Sequence, residues 1–306
     1  MTFENTNNAI LNTIDEVPHL SFPVLSNFSF LRHGFSTKLG GVSTDIFASM
    51  NLGSETSPLQ DNPASIEENY RRIAKSIGFD VNSVVVSFQV HKTNILAVDE
   101  KDCGKGLFVP RDFDEIDGLI TNRPNVTLVT KYADCVPLYF VDPIKKAIGL
   151  SHAGWRGTVG KIGAVTVDEM KKHYGCKPSD LVAVVGPSIG KECYEIGEET
   201  ANEFKKVFSE EQLNNILFPL DIYTTGTLSK SNLTSQNCFD NNLSAGNGKY
   251  LCDLWAANRA VLLDAGLLEE NIHISGVCTS CHCELLFSHR KTQGKRGSLA
   301  AFLSMV

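Results

Sequence analysis

The stretch Val126-Thr-Leu-Val-Thr-Lys-Tyr-Ala-Asp-Cys-Val-Pro-Leu-Tyr-Phe-Val141, followed after a polar turn by Ala147-Ile-Gly-Leu150, decides the fold class. Residues 126–130, 136–141 and 147–150 are short runs rich in β-branched and aromatic side chains, so they read as strands. Too few residues separate them for crossover helices, which predicts antiparallel or mixed pairing. Working outward, residues 84–88, 95–98, 119–121 and 181–185 read the same way, as does the end of the chain. The alternation in residues 28–33 predicts a half-buried strand, and residues 1–27 before it read as polar and irregular. Ile66, Tyr70, Ile73, Ala74 and Ile77 recur at helical spacing between Pro63 and Gly78, predicting a helix over 63–77. Further helices are predicted over 159–174, before Gly175, and over 198–208. Leu251, Leu254, Trp255, Asn258, Val261, Leu262 and Ala265 predict another, stopped by Gly266. The fold class is α+β: mixed sheets packed together and flanked by helices.

A chain of 306 residues allows one large domain or two smaller ones. No linker divides it and no repeat recurs, so 1–306 reads as a single domain, with a mobile polar insertion expected at 224–249. The charge balance of 28 Lys+Arg against 35 Asp+Glu gives −7 and leaves no basic stripe, which argues against a nucleic-acid partner. No apolar run reaches membrane-spanning length, since even 126–141 carries Lys131 and Asp134. The first Lys or Arg is Arg32, which removes the basic start of a secretory signal, and a cytoplasmic location is expected. Nine cysteines, an odd count in such a chain, point to thiols used for burial, metal binding or catalysis.

Three segments place metal-capable side chains at predicted strand edges: Gln89-Val-His91, Ala133-Asp-Cys135-Val-Pro and His152-Ala-Gly-Trp-Arg-Gly157. Two imidazoles and one thiolate suit zinc and leave a fourth position open. Singly, each histidine also reads as structural and Cys135 as a small buried hydrophobe. Cys278-Thr-Ser-Cys281-His-Cys283 holds a C-x-x-C, but a zinc knuckle needs a second ligand pair at short range and only His289 follows, so it reads as packing. The basic residues from Phe287 to Gly297, and Lys38 beside Gly40 and Gly41, read either as phosphate contacts or as solvated loops. Blue-copper chemistry is disfavoured by eight histidines without a His-x-His pair and by four methionines, none near the motifs.

The motifs QVH (89–91), ADCVP (133–137), HAGWRG (152–157), GPSIG (186–190) and CTSCH (278–282) occur in this order. From about His33 to its C-terminus the chain resembles the bacterial "polyphenol oxidase", or laccase-domain, family. The resemblance implies a zinc-dependent purine nucleoside enzyme that phosphorolyses adenosine, inosine, guanosine and S-methyl-5′-thioadenosine and deaminates adenosine. It implies zinc on His91, Cys135 and His152, the three residues already singled out by their chemistry. It also implies an α/β/β/α fold similar to cysteine-hydrolase-like proteins, and relatives have been linked to editing of peptidoglycan precursors. Lys38 stands where Arg is common, Cys283 and His289 are less usual, and 224–249 is enlarged. These departures bear on substrate preference and phosphate contacts, and none removes a ligand.

Phosphorolysis needs a cationic clamp, for which Arg156 is the first candidate and Arg290 and Lys38 weaker ones. Asp134, beside the thiolate, reads as a base, as a residue that orients a ligand, or as a structural group. Two other classes stay open: a metal-free hydrolase with Cys135 as nucleophile and His152 as base, and a binding protein without turnover.

Overall fold

The computed structural model describes residues 3–13, 16–53, 60–220 and 248–306, and its first strands form where the sequence shows no periodicity. β1 (Ile10–Asn12) pairs antiparallel with β2 (His19–Ser21), and α1 (Pro23–Ser26) leads into β3 (Leu31–Ser36). The irregular reading of 1–27 is therefore corrected for 10–12 and 19–26, because three-residue strands are too short for alternation to register. The strand expected from Phe28 starts at Leu31, since Phe28 and Leu31 close successive turns through Leu25 O and Phe28 O. α2 (Pro63–Ile77) lies where the spacing placed it: Asn62 caps the Ala64 N–H and Gly78 ends the helix at φ 90°.

β4 (Val84–Val86), β5 (Ile95–Ala97), β6 (Gly118–Thr121), β7 (Thr127–Tyr132), β8 (Val136–Asp142) and β9 (Ala147–Ala153) follow. The helix expected over 159–174 is α4 (Ile162–Tyr174), and Val159 belongs instead to a separate short helix, α3 (Trp155–Val159), because Lys161 between them adopts a left-handed backbone at φ 57°. After β10 (Val182–Val185) come β11 (Glu195–Gly197), α5 (Glu198–Lys205), α6 (Glu210–Ile216) and β12 (Leu217–Pro219). β13 (Lys249–Cys252) takes up Leu251, so the next helix, α7 (Leu254–Asp264), starts only after the Asp253 cap. β14 (Ile272–Ile274), α8 (His289–Thr292) and β15 (Leu299–Met305) complete the order. Of the insertion expected at 224–249, all but Gly248 and Lys249 lies outside the described residues.

Two six-stranded sheets run in the orders β1-β2-β3-β15-β7-β4 and β14-β10-β8-β9-β6-β5, with a small sheet β11-β13-β12 beside them. Pairing is mixed, as the short connections required: β4–β7, β5–β6 and β10–β14 are parallel and the others antiparallel. Side-chain parity builds the layers. In β15, Leu299, Ala301 and Leu303 face a core shared with Tyr139 and Val141 of β8, while Ala300 and Phe302 face Ile66, Tyr70 and Ile73 of α2. In β8, Val136, Leu138 and Phe140 turn the other way, onto Ile162 and Met170 of α4 and Val261 of α7. The order is helix, sheet, sheet, helix, and strands buried on both faces explain the near-continuous apolar runs.

Candidate metal centre

The quoted stretch makes its sharpest turn between β7 and β8, where Asp134 adopts φ 83°. This turn presents Cys135 just before β8, whose Pro137 pairs with His152 near the end of β9. His91, also left-handed at φ 64°, arrives from the segment after β4. Gln89 docks that segment: its side chain donates to Lys131 O and accepts from Lys131 N, both at 2.7 Å, like one more rung on β7. One ligand atom from each of His91, Cys135 and His152 falls within 4.8 Å of the others, and His91 Nε2 is 3.9 Å from Cys135 Sγ. Two imidazoles and a thiolate converging this closely fit a first-row transition metal.

Asp117, just before β6, fixes the geometry. Its fully buried carboxylate accepts the backbone N–H groups of Val90, His91 and Lys92 at 2.9–3.0 Å and His152 Nδ1–H at 2.8 Å. Because that carboxylate takes the Nδ1 proton, Nε2 of His152 is left to face the cluster. Burial pushes the Asp117 carboxyl up, but the hydrogen bond and charge of His152 and the backbone donors outweigh it and lower its pKa. Burial likewise opposes charge on Cys135 and His152; their mutual attraction and hydrogen bonds prevail, bringing Cys135 from 9.0 down to about 6 and His152 from 6.5 up to about 9. Sequence reading missed Asp117, whose partners lie 25 to 35 residues away and leave no local pattern.

The centre opens into a cavity of about 560 Å³. Phe88, Trp155 and Tyr194 supply aromatic wall, and His289, Arg290 and Arg296 supply a cationic one. Arg296 donates from Nη1 to Gly297 O and Ser298 Oγ, while its buried Nε has no partner among the described residues. Arg290 extends over the Tyr194 ring and donates to Glu195 O. Asp134 also lines the cavity, with Oδ1 accepting from Thr279 Oγ1 at 2.6 Å and Oδ2 from the Arg290 N–H at 2.7 Å.

The other two expected cations are elsewhere. Arg156 is exposed, stacks on the outer side of Trp155 with 4.3 Å between Cζ and the ring, and does not line the cavity. One residue along α3 is about 100° round the helix, so the Trp155 position faces inward and Arg156 does not. Lys38 donates Nζ to the Cys283 carbonyl and is likewise absent from the lining.

The family model described as multi-copper polyphenol oxidoreductase laccase matches residues 32–306. The chain belongs to this family. It is 35% identical to the purine nucleoside phosphorylase YlmD of Bacillus subtilis over 89% of this chain and 87% of that protein. A crystal structure of Bacillus licheniformis YfiH superposes with a TM-score of 0.81 at 30% identity, covering 97% of this chain and 99% of the other. YlmD from Geobacillus stearothermophilus gives 0.76 at 33% identity over 94% and 96% of the two chains. The resemblance drawn from the five motifs and the expected fold class therefore both hold.

Proposed function

We propose that the chain is a zinc-dependent purine nucleoside phosphorylase acting on adenosine, inosine, guanosine and S-methyl-5′-thioadenosine, and that it also deaminates adenosine. The carrying observation is one cavity that joins the His91–Cys135–His152 cluster to aromatic side chains and to a half-buried arginine, Arg296, whose buried Nε has no partner among the described residues. The phosphorylase name of the Bacillus subtilis relative supports the same reaction.

The donor set favours zinc over copper, whatever the family's description. Met50, Met170 and Met305 are buried in the three cores, and among the described residues only His289 adds an imidazole to those of His91 and His152 in the cavity. A blue-copper centre wants an axial thioether, and oxygen reduction wants further imidazoles. Zinc on His91, Cys135 and His152 would supply Lewis acidity at that wall. Arg296 and Arg290, rather than Arg156 or Lys38, hold the phosphate, and Arg296 Nε gains the acceptor it lacks. Phe88, Trp155 and Tyr194 receive the purine face. In phosphorolysis a phosphate oxygen forms the new bond to C1′, and the purine leaves with the C1′–N9 electron pair and takes up a proton. In deamination water adds at C6 and ammonia leaves. Asp134, engaged at both oxygens, positions Cys135 and Arg290 rather than acting as base.

A second reading has specific support, because Cys135, His152 and Asp117 line up as a thiolate, an imidazolium and an orienting carboxylate, the arrangement of a cysteine hydrolase. His91, 3.9 Å from the sulfur, has no part in that chemistry and favours the metal. Chromatography of adenosine incubated with and without phosphate separates the readings. Phosphate-dependent adenine or phosphate-independent inosine, lost in Cys135→Ala and after chelation, supports the nucleoside enzyme. An amide or ester hydrolysis that survives chelation supports the hydrolase.

A further inference from the structure

A second group of sulfurs converges away from the first, under the rim of the cavity. Cys193 ends the short turn Lys191–Cys193, and Cys278 and Cys281 come from the C-x-x-C read in the sequence as packing. The three Sγ atoms lie within 4.8 Å of one another, with Cys193 and Cys281 3.5 Å apart. Three sulfurs bound tetrahedrally at about 2.3 Å from one zinc would sit about 3.8 Å apart. The ligand pair that the C-x-x-C lacks nearby is thus met in part by a cysteine 88 residues upstream of Cys281.

The backbone around Cys278 suits a thiolate at that sulfur. Cys278 Sγ accepts the backbone N–H groups of Gly190 at 3.1 Å and Cys281 at 3.4 Å. These are outer hydrogen bonds of the kind that stabilise a coordinating sulfur. Cys278 is buried at 8% exposure, and the Trp255 ring closes over the same turn near Gly190.

Cys281 is disulfide-bonded in the structure. We propose that, once this bond is reduced, Cys193, Cys278 and Cys281 form a second zinc site of thiolate type, independent of the His91 centre. In the reduction a dithiol gives two electrons and two protons to the Cys281 disulfide and itself becomes a disulfide. Zinc then displaces the remaining thiol protons to solvent. The metal would tie the segment carrying Tyr194 to the segment carrying Thr279, which holds Asp134. The site therefore braces the cavity without touching the substrate.

The test counts zinc by elemental mass spectrometry in the full-length chain, loaded with zinc under dithiothreitol and desalted. Wild type is expected to hold one zinc more than Cys193→Ser or Cys278→Ser, and the Cys135→Ala variant is expected to keep that zinc while losing the other. Equal zinc in wild type and both serine variants overturns the proposal. Should a serine variant fail to fold, alkylation of the reduced wild-type chain, mapped by peptide mass spectrometry, decides. Zinc is expected to slow modification of Cys193 and Cys278 at least tenfold; unchanged rates, or capture of a Cys193–Cys281 disulfide in the zinc-loaded sample, would contradict the site.

Discussion

Asp117 is the residue on which the centre's geometry turns, since one carboxylate fixes both the His91 segment and the His152 tautomer. Asn at this position keeps the shape but replaces one acceptor oxygen by a donor. Asp117→Asn is expected to weaken zinc binding roughly 10–100-fold with the fold retained. Competition against a chelating dye measures this, and unchanged affinity would show that Asp117 only packs. The cationic wall gives a paired prediction: Arg296→Ala raises the KM for phosphate roughly tenfold or more, the loss of a charge-assisted hydrogen bond, while Arg156→Ala leaves it within about twofold. Steady-state kinetics with phosphate varied checks both. The convergence of His91, Cys135 and His152 was legible because few side-chain types ligate a metal and each sits beside a strand edge. Asp117 was not, because its role depends on contacts across 35 residues. That Arg156 lies outside the cavity lining was not legible, because HAGWRG gives no helix phase, and α3 turns Trp155 inward instead.

Elements meet closely enough at the centre that one glycine is required for its lack of a side chain. A Cβ on Gly154, between β9 and α3, would lie 2.9 Å from His91 Cδ2 and 3.1 Å from Cys135 Sγ. Its φ of −66° suits any residue, so Gly154→Ala is expected to keep the fold and lose the metal. Circular dichroism with zinc analysis tests this, and retained zinc would show that the ligands can move apart. In β3, His33 Nε2 accepts the Phe22 N–H, and burial, reinforced by the charge of His19, lowers its pKa from 6.5 to about 4. Between these values the unfolded chain binds the proton more readily. The stabilisation is thus complete above pH 6.5 and is lost as pH falls through about 4, at most roughly 3 kcal/mol. Urea unfolding should show a shallower decline over this range for His33→Gln than for wild type; parallel declines would contradict it. α2 was legible because cap, stripe and stop agree, whereas the α3–α4 break rests on the left-handed backbone of one lysine.

In the whole molecule, the two sheets carry the centre at the edge of their shared core, where β7 gives way to β8 and β9 ends. The sequence pattern revealed many short strands with mixed pairing. It did not reveal that β15 enters between β3 and β7, pairing Phe302 with both Gly34 and Val129, because such register spans nearly the whole chain. It also did not join Cys193 to the C-x-x-C. One wall of the cavity carries the His91–Cys135–His152 cluster and the other carries His289, Arg290 and Arg296, and the proposed reaction requires both. The most direct measurement is hypoxanthine and ribose 1-phosphate release from inosine by chelator-stripped protein as zinc is restored, in wild type and in His91→Ala. Phosphate-dependent release that returns with zinc in wild type, and stays absent in His91→Ala, is the expected result. Full release by the stripped protein, or none by the zinc-loaded wild type, would contradict it.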